Sequence, residues 1–205
     1  MILHDFALSS ASYRVRIALN LKGLEYETRS YRLRAGEQRA SSYLALNPAG
    51  LVPTLEIDGH VITQSLAIVD YLDATRPGPR LIPLDPAERA RVLAIAFTIA
   101  CDIHPLNNLR VLQYLETAMD QDELARNSWY GTWVTAGFTA IESMLATNAT
   151  TTFVSGNAPG IAEVCLVPQV FNARRFKVDL RLFPRVVEVA DRAAGLAAFA
   201  KAAPP

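Results

Sequence analysis

Asn47-Pro48-Ala49-Gly50-Leu51-Val52-Pro53-Thr54-Leu55, followed by Asp58-Gly59 and then Gln64-Ser65-Leu66-Ala67-Ile68, is the stretch on which the reading of this chain turns. Pro53 heads an apolar run, where its missing N–H and fixed φ suit the first residue of an edge strand; a cis Val52-Pro53 bond would present the Val52 backbone outward. Asp58-Gly59 lies between Leu55-Glu56-Ile57 and His60-Val61-Ile62 and signals a two-residue hairpin. Gln64-Ser65 then opens an apolar helix whose unpaired N–H groups favour a carboxylate. The segment offers a strand edge to a short extended peptide beside an anion-binding helix start.

Working outward, the first stretch alternates in type. Residues 1–6 fit a short strand, 10–21 have helix-compatible apolar spacing that Lys22-Gly23 stops, and 26–33 suit a second strand. A helix over 37–46 ends before Asn47-Pro48, and after the hairpin a further helix runs over about 65–75. Together these elements predict a thioredoxin-like α/β domain. It lacks Cys-x-x-Cys, which argues against disulfide exchange and for a recognition fold that holds a thiol ligand. Pro77-Gly78-Pro79, Pro83 and Pro86 rule out a continuous helix, so the domain boundary falls there: 1–79 as the first domain, 80–86 as linker and 87–205 as the second. Helix-period apolar residues over 89–119, 122–147 and 161–176, with no comparable strand signal, make that second domain all-α. Gly160 followed by Glu163 reads as a reduced capping box, weaker by roughly a few tenths of a kcal/mol. The 147–152 cluster reads as a polar loop, and there is no internal repeat.

Twenty Lys and Arg balance twenty Asp and Glu, so no net field draws the chain to nucleic acid or to an anionic membrane. No apolar run approaches the roughly 20 residues that span a bilayer, and the start lacks a signal-like apolar core. The expectation is a cytoplasmic protein whose partners are small molecules and other proteins. Cys101 and Cys165 stand far apart without metal-ligand spacing and read as two reduced, buried thiols. No metal site is expected.

The peptide edge and helix start resemble the glutathione site of cytosolic glutathione transferases, and the resemblance extends along nearly the whole chain. Ser9-Ser10-Ala11-Ser12-Tyr13-Arg14-Val15-Arg16-Ile17-Ala18-Leu19 is similar to the N-terminal signature of the zeta class, which includes maleylacetoacetate isomerases and bacterial maleylpyruvate isomerases. Asp102-Ile103-His104-Pro105-Leu106-Asn107-Asn108-Leu109-Arg110-Val111-Leu112, Cys165-Leu166-Val167-Pro168-Gln169-Val170 and the run from Ala173 to Leu180 agree. The resemblance implies a glutathione-dependent cis–trans isomerase of diketo acids, a homodimer, and a fold of thioredoxin-like domain plus all-helical domain. It also implies glutathione contacts at Gln38 for the glycyl end, Val52 for the cysteinyl backbone and Gln64 with Ser65 for the γ-glutamyl carboxylate. His104 and Asn108, four apart and expected on one helix face, are further candidates. Asp102 is a possible cross-subunit partner for the ligand's amino group or, more simply, a local cap.

Glutathione reacts as a thiolate, so such an enzyme must lower a thiol pKa that starts near ~8.5. Ser9 is the candidate hydroxyl and Ser10 its substitute, although Ser at this turn also has a purely structural use as an N-cap. Two positions depart from the zeta signature: Leu8 stands where Arg is common, and Ala11 where Cys is common. Leu8 removes a guanidinium that could fork onto a substrate carboxylate. Arg175, and Arg110 after it, are candidates to replace that anion binding. The departures leave two alternatives open: a conjugating transferase acting on apolar electrophiles, and a non-catalytic module that keeps the fold for binding.

Overall fold

The computed structural model describes residues 1–146 and 152–205, which form two compact units, Met1–Leu81 with Gly195–Pro205, and Ile82–Ala194. The polar loop expected at 147–152 lies, but for Thr152, outside the described residues.

The first unit begins with β1 (Ile2–Asp5), α1 (Ser10–Leu21) and β2 (Glu27–Ser30), the last shorter than the 26–33 strand expected. Ser9 starts α1 by accepting the Ser12 N–H on its hydroxyl oxygen at 3.2 Å. Gly23, at φ +67°, ends it: its N–H reaches the Asn20 carbonyl and the Leu24 N–H the Leu19 carbonyl, so the last carbonyls are satisfied in a left-handed turn that Gly adopts freely. The helix expected over 37–46 is instead two 3-10 turns, Leu33–Ala35 and Glu37–Arg39, and a single α turn, α2 (Ser41–Leu44). Only Tyr43 of that stretch is buried, so there is no continuous apolar face to hold a longer helix. β3 (Thr54–Ile57) and β4 (His60–Thr63) form the hairpin around Asp58-Gly59, both at positive φ as the two-residue turn demands, and α3 (Ser65–Thr75) follows.

The sheet has the order β2-β1-β3-β4, with β1 and β2 parallel and the other pairs antiparallel. Its core is Leu3 and Leu55 against Val15, Ile17, Leu19, Ile68 and Leu72, all fully buried. The 87–205 domain expected from the prolines differs from the compact unit at its C-terminal end. Gly195–Pro205 belongs with the first unit, because α9 (Ala197–Ala202) packs on α1. Phe199 there is fully buried, Arg16 Nε donates to the Ala202 carbonyl at 2.9 Å, and Asn20 donates to the Ala198 carbonyl at 2.9 Å. Short and without an acidic or apolar period of its own, this segment gives no sign in the sequence of where it docks.

The second unit has helices and no strand among its described residues: α4 (Pro86–Phe97), a π segment (Thr98–Ile103), α5 (Leu109–Thr117), α6 (Glu123–Ala146), α7 (Ile161–Arg175) and α8 (Pro184–Ala194). Asp85 caps α4 and Pro86 takes its first turn. The single helical run expected over 89–119 is broken after the π segment, where Pro105 has no N–H to continue the ladder. Gly137 of α6 explains the close approach there: a Cβ on it would fall 2.3 Å from the Ile103 side chain. α7 is buried from Ile161 to Val170 and packs on α4, α8 and the π segment. The reduced capping box exists as its Glu half: Glu163 accepts the Gly160 N–H at 2.8 Å and the Val154 N–H at 2.6 Å, and burial pushes its carboxyl above the ordinary range. Cys165 is buried, but Cys101 is exposed, which corrects the expectation of two buried thiols. It continues the outer face of Ala94 and Phe97, apolar residues that are themselves exposed, so its apolar surroundings in sequence misrepresent its environment.

Candidate functional site

Strand register draws the candidate residues of the first unit together. His4 pairs with Thr54, Thr54 with Thr63, and Asp5 with Ser30. The chain therefore leaves β1 toward Leu8-Ser9, enters β3 from Val52-Pro53, leaves β4 into Gln64-Ser65, and leaves β2 toward the 3-10 turns with Gln38, all at one end of the sheet. Loops held by one rigid sheet are where recognition residues gather.

Each loop is held by its own bonds. Arg16 Nη1 donates to both Asp5 carboxylate oxygens, at 2.7 and 2.9 Å, and Nη2 to the Ala7 carbonyl at 2.9 Å, which fixes the turn carrying Leu8 and Ser9. Because Ser9 uses an oxygen lone pair for the Ser12 N–H, its own O–H proton stays available to a second partner. Ser10 and Ala11 are buried in the first turn of α1, while Leu8 and Ser9 are half-buried.

The Asn47-Gly50 turn is closed by the Gly50 N–H to the Asn47 carbonyl at 2.9 Å, and Asn47 and Tyr43 both donate to the Leu51 carbonyl, at 2.7 and 2.6 Å. Gly50 sits at φ +61°, and a Cβ there would meet the Gln38 carbonyl at 3.3 Å, so only Gly lets the 3-10 turns lie against this strand entry. Val52-Pro53 is cis, and the Val52 backbone makes no hydrogen bond to another described residue. Gln38 donates to the Leu33 carbonyl at 3.3 Å, leaving its buried Oε1 with no partner among the described residues.

Gln64 caps α3 at φ +67° and ψ 118°, a region that costs a non-Gly residue about 1–3 kcal/mol and persists where surroundings impose it. The buried Ser65 follows, and the buried Arg14 guanidinium reaches its hydroxyl oxygen at 3.3 Å. A positive charge thus stands behind the N–H groups of the helix start, where a carboxylate is favoured twice over.

Two buried groups here were not among the residues expected at the site. Arg14 is one; α1 is buried on all sides from Ser10 to Leu19, so nothing near Arg14 in the sequence singles it out. The Ser12 hydroxyl, fully buried and without a hydrogen-bond partner among the described residues, is the other.

The remaining candidates belong to the second unit. His104 and Asn108 do meet, with Nε2 and Nδ2 3.5 Å apart, but not along one helix face as expected. Residues 104–107 form a turn and Asn108 is the extended N-cap of α5, its Oδ1 accepting the Arg110 N–H at 3.1 Å. Asp102 is exposed within the π segment and caps nothing, so the expected capping role falls away; the segment continues α4 and leaves no free N–H there. Arg110 is exposed in the first turn of α5, and Arg175 is exposed at the end of α7 with its guanidinium carbon 5.4 Å from the Phe176 ring centre.

The residues of the first unit fit a γ-glutamyl tripeptide. The unpaired Val52 backbone ahead of β3, itself an inner strand between β1 and β4 and not the edge strand expected, suits its cysteinyl amide, the unsatisfied Gln38 acceptor suits an amide N–H, and the Ser65 helix start backed by Arg14 suits its α-carboxylate. Comparison with known proteins identifies the family. Residues 8–75 match the family model for the glutathione S-transferase N-terminal domain. A probable maleylacetoacetate isomerase of Vibrio cholerae is 48% identical, over 100% of this chain and 95% of its own length. Among solved structures, a holo maleylpyruvate isomerase described as a bacterial zeta-class glutathione S-transferase superposes with a TM-score of 0.97 at 44% identity, covering 100% of this chain and 97% of its own. A maleylacetoacetate isomerase of Methylobacterium extorquens with bound malonate and GSH gives 0.96 at 37% identity, covering 100% and 96%. The thioredoxin-like sheet, the helical second unit and these full-length identities together mean that the chain belongs to the zeta class of the glutathione transferase family.

Proposed function

We propose that this protein is a glutathione-dependent cis–trans isomerase of maleylacetoacetate- or maleylpyruvate-like diketo acids. The observation that carries the reading is the convergence of Ser9, Val52 and Gln64-Ser65 at one end of the sheet, in a chain similar over its full length to isomerases of that kind.

When bound, glutathione would supply the nucleophilic thiolate that makes rotation about a conjugated double bond possible. The protein's own residues do the rest. Ser65, the α3 N–H groups and Arg14 hold the γ-glutamyl carboxylate, and Gln64 is kept in its strained cap to present that helix start. Val52 pairs with the cysteinyl backbone, and Gln38 takes the glycyl N–H on its unsatisfied oxygen. Ser9, with one oxygen lone pair accepting the Ser12 N–H, would donate its O–H to the sulfur and favour the anion; a thiol shift of two pKa units corresponds to about 2.7 kcal/mol. Ser10 is buried in α1, which leaves it the poorer candidate for the same task. Arg175, with Arg110, receives the substrate carboxylate. His104 and Asn108 form a linked pair serving the glutathione side. On this reading the first unit binds glutathione, the second binds substrate, and the protein works in the cytoplasm as a homodimer; light scattering at the monomer mass across micromolar concentrations would refute the dimer.

A second reading is supported by Leu8, which stands half-buried where a guanidinium would serve a diketo acid: conjugation of glutathione to apolar electrophiles. Assays of maleylacetoacetate, maleylpyruvate and a chloronitrobenzene side by side, each with and without glutathione, separate the two. The isomerase reading requires the diketo acids to be turned over with far higher kcat/KM. A preference for the chloroarene would establish the second reading, and no saturable heat of glutathione binding in calorimetry would sink both.

A further inference from the structure

Arg175 stands apart from its neighbours. Arg174 forks onto Asp191 at 2.7 and 2.8 Å, Arg181 pairs with Asp179 at 2.6 Å, Arg185 with Glu142 at 3.2 Å and Arg192 with Glu188 at 2.6 Å. Arg175 has no carboxylate partner among the described residues; its only polar contact there is a 3.4 Å approach to the Asn172 side-chain oxygen. What holds it is an aromatic surface. Its guanidinium lies 5.4 Å from the Phe176 ring centre, and Phe176 is stacked on Tyr130 with centroids 3.9 Å apart and planes 10° from parallel. Tyr130 is itself immobilised: it is 2% exposed, and its carbonyl accepts the Asn107 amide at 3.2 Å. That last bond ties the stack to the turn that carries His104 and Asn108.

We infer that Tyr130 and Phe176 are positioning residues for substrate recognition, a two-ring platform that holds the Arg175 guanidinium in place and without an anionic partner, ready for the carboxylate of a diketo acid. The inference rests on the proposed role of Arg175 as the carboxylate receptor. Physically, an exposed arginine loses side-chain freedom on binding an anion, and a ring face beneath the guanidinium reduces that loss while leaving the planar edge open for a bidentate contact. A carboxylate partner within the protein would have occupied the same edge. α7 sends Arg174 to Asp191 and Arg175 to the Phe176 ring, so adjacent arginines have opposite uses: one ties α7 to α8, the other stays available.

The test uses full-length protein at saturating glutathione, with kcat and KM for maleylpyruvate and for a chloronitrobenzene, and calorimetric binding of malonate as a readout independent of turnover. Phe176→Leu should raise the maleylpyruvate KM and the malonate Kd about fivefold with kcat within about twofold, and leave the chloroarene unaffected. Phe176→Tyr, which keeps the ring, should match wild type. Arg175→Lys, an exposed substitution that keeps charge but not the planar face, should raise the same two quantities about fivefold, and it decides the matter if Phe176→Leu does not fold. Arg175→Ala should raise them more than either. If Arg175→Ala weakens malonate and maleylpyruvate while Phe176→Leu and Arg175→Lys do not, the platform is refuted and the carboxylate role stands. If Arg175→Ala changes nothing, the role of Arg175 fails and the platform with it. Equal losses on both substrates in Phe176→Leu would make the stack merely structural and overturn the inference.

Discussion

Phe199→Ala tests the unexpected attachment of the chain's C-terminal end to the first unit. Phe199 is fully buried, in the helix that packs on α1, and the flanking tail is also held by Arg16 and Asn20. Those two bonds keep the tail in place when the ring is removed, so the ring's space cannot be filled by the tail swinging away, and the cost approaches that of a rigid cavity. Removing a phenyl ring from such a site costs about 3 to 5 kcal/mol. For a chain of this size that lowers Tm by roughly 6 to 20 °C. Leu182→Ala, at a side chain 69% exposed, is the matched control and should fall within about 0.5 kcal/mol of wild type. Hydrogen exchange localises the effect: peptides from β1, α1 and α3 should lose protection before those from α6 and α7. A Tm drop no greater than the control's, or protection lost first in α6 and α7, would refute the assignment of this segment to the first unit.

Three further outcomes follow from the site and its surroundings. Ser9→Ala should lower kcat about 100- to 1,000-fold, raise the spectroscopic pKa of bound glutathione toward the free value, and leave the glutathione Kd at low pH little altered; equal pKa values in both proteins would assign the task to Ser10 or to the helix N–H groups. Leu8→Arg should raise activity on diketo acids and lower it on chloroarenes, and an unchanged ratio of the two activities would show that Leu8 does not line the substrate pocket. The Asp179 carboxyl, held down to about 2 chiefly by its hydrogen bond with Arg181, should titrate there in carboxyl NMR and return toward ~3.9 in Arg181→Ala. Because its folded pKa is depressed, whatever stability that pair adds is present above the ordinary carboxylate range and is lost as the pH falls toward about 2.

Much of the first unit is legible from sequence because its elements announce themselves locally. Asp58-Gly59 forces a two-residue turn, Lys22-Gly23 stops α1, and Pro53 marks the head of a strand. The sheet-end convergence of Ser9, Val52 and Ser65 is then a consequence of strand order. What was not legible depends on partners distant in the chain. The tail's destination is set by Arg16 and Asn20, more than 170 residues upstream. Cys101 looks buried in sequence because its neighbours are apolar, although that face of the helix is exposed. The meeting of His104 and Asn108 was readable from their spacing, but Pro105 makes it a turn and not a helix face. Arg14 carries no local signal of its use, since its significance appears only when α3 brings Ser65 to it.

An isomerase of this kind uses glutathione catalytically and returns it. Maleylpyruvate incubated with the protein and substoichiometric glutathione, followed by proton NMR with free thiol measured in parallel, tests it most directly. Conversion to the trans isomer should go to completion with the thiol undiminished, and no enzyme-dependent conversion should occur when glutathione is left out. Conversion that stops at one turnover per glutathione with a thioether accumulating, or that proceeds at the same rate without glutathione, would contradict it.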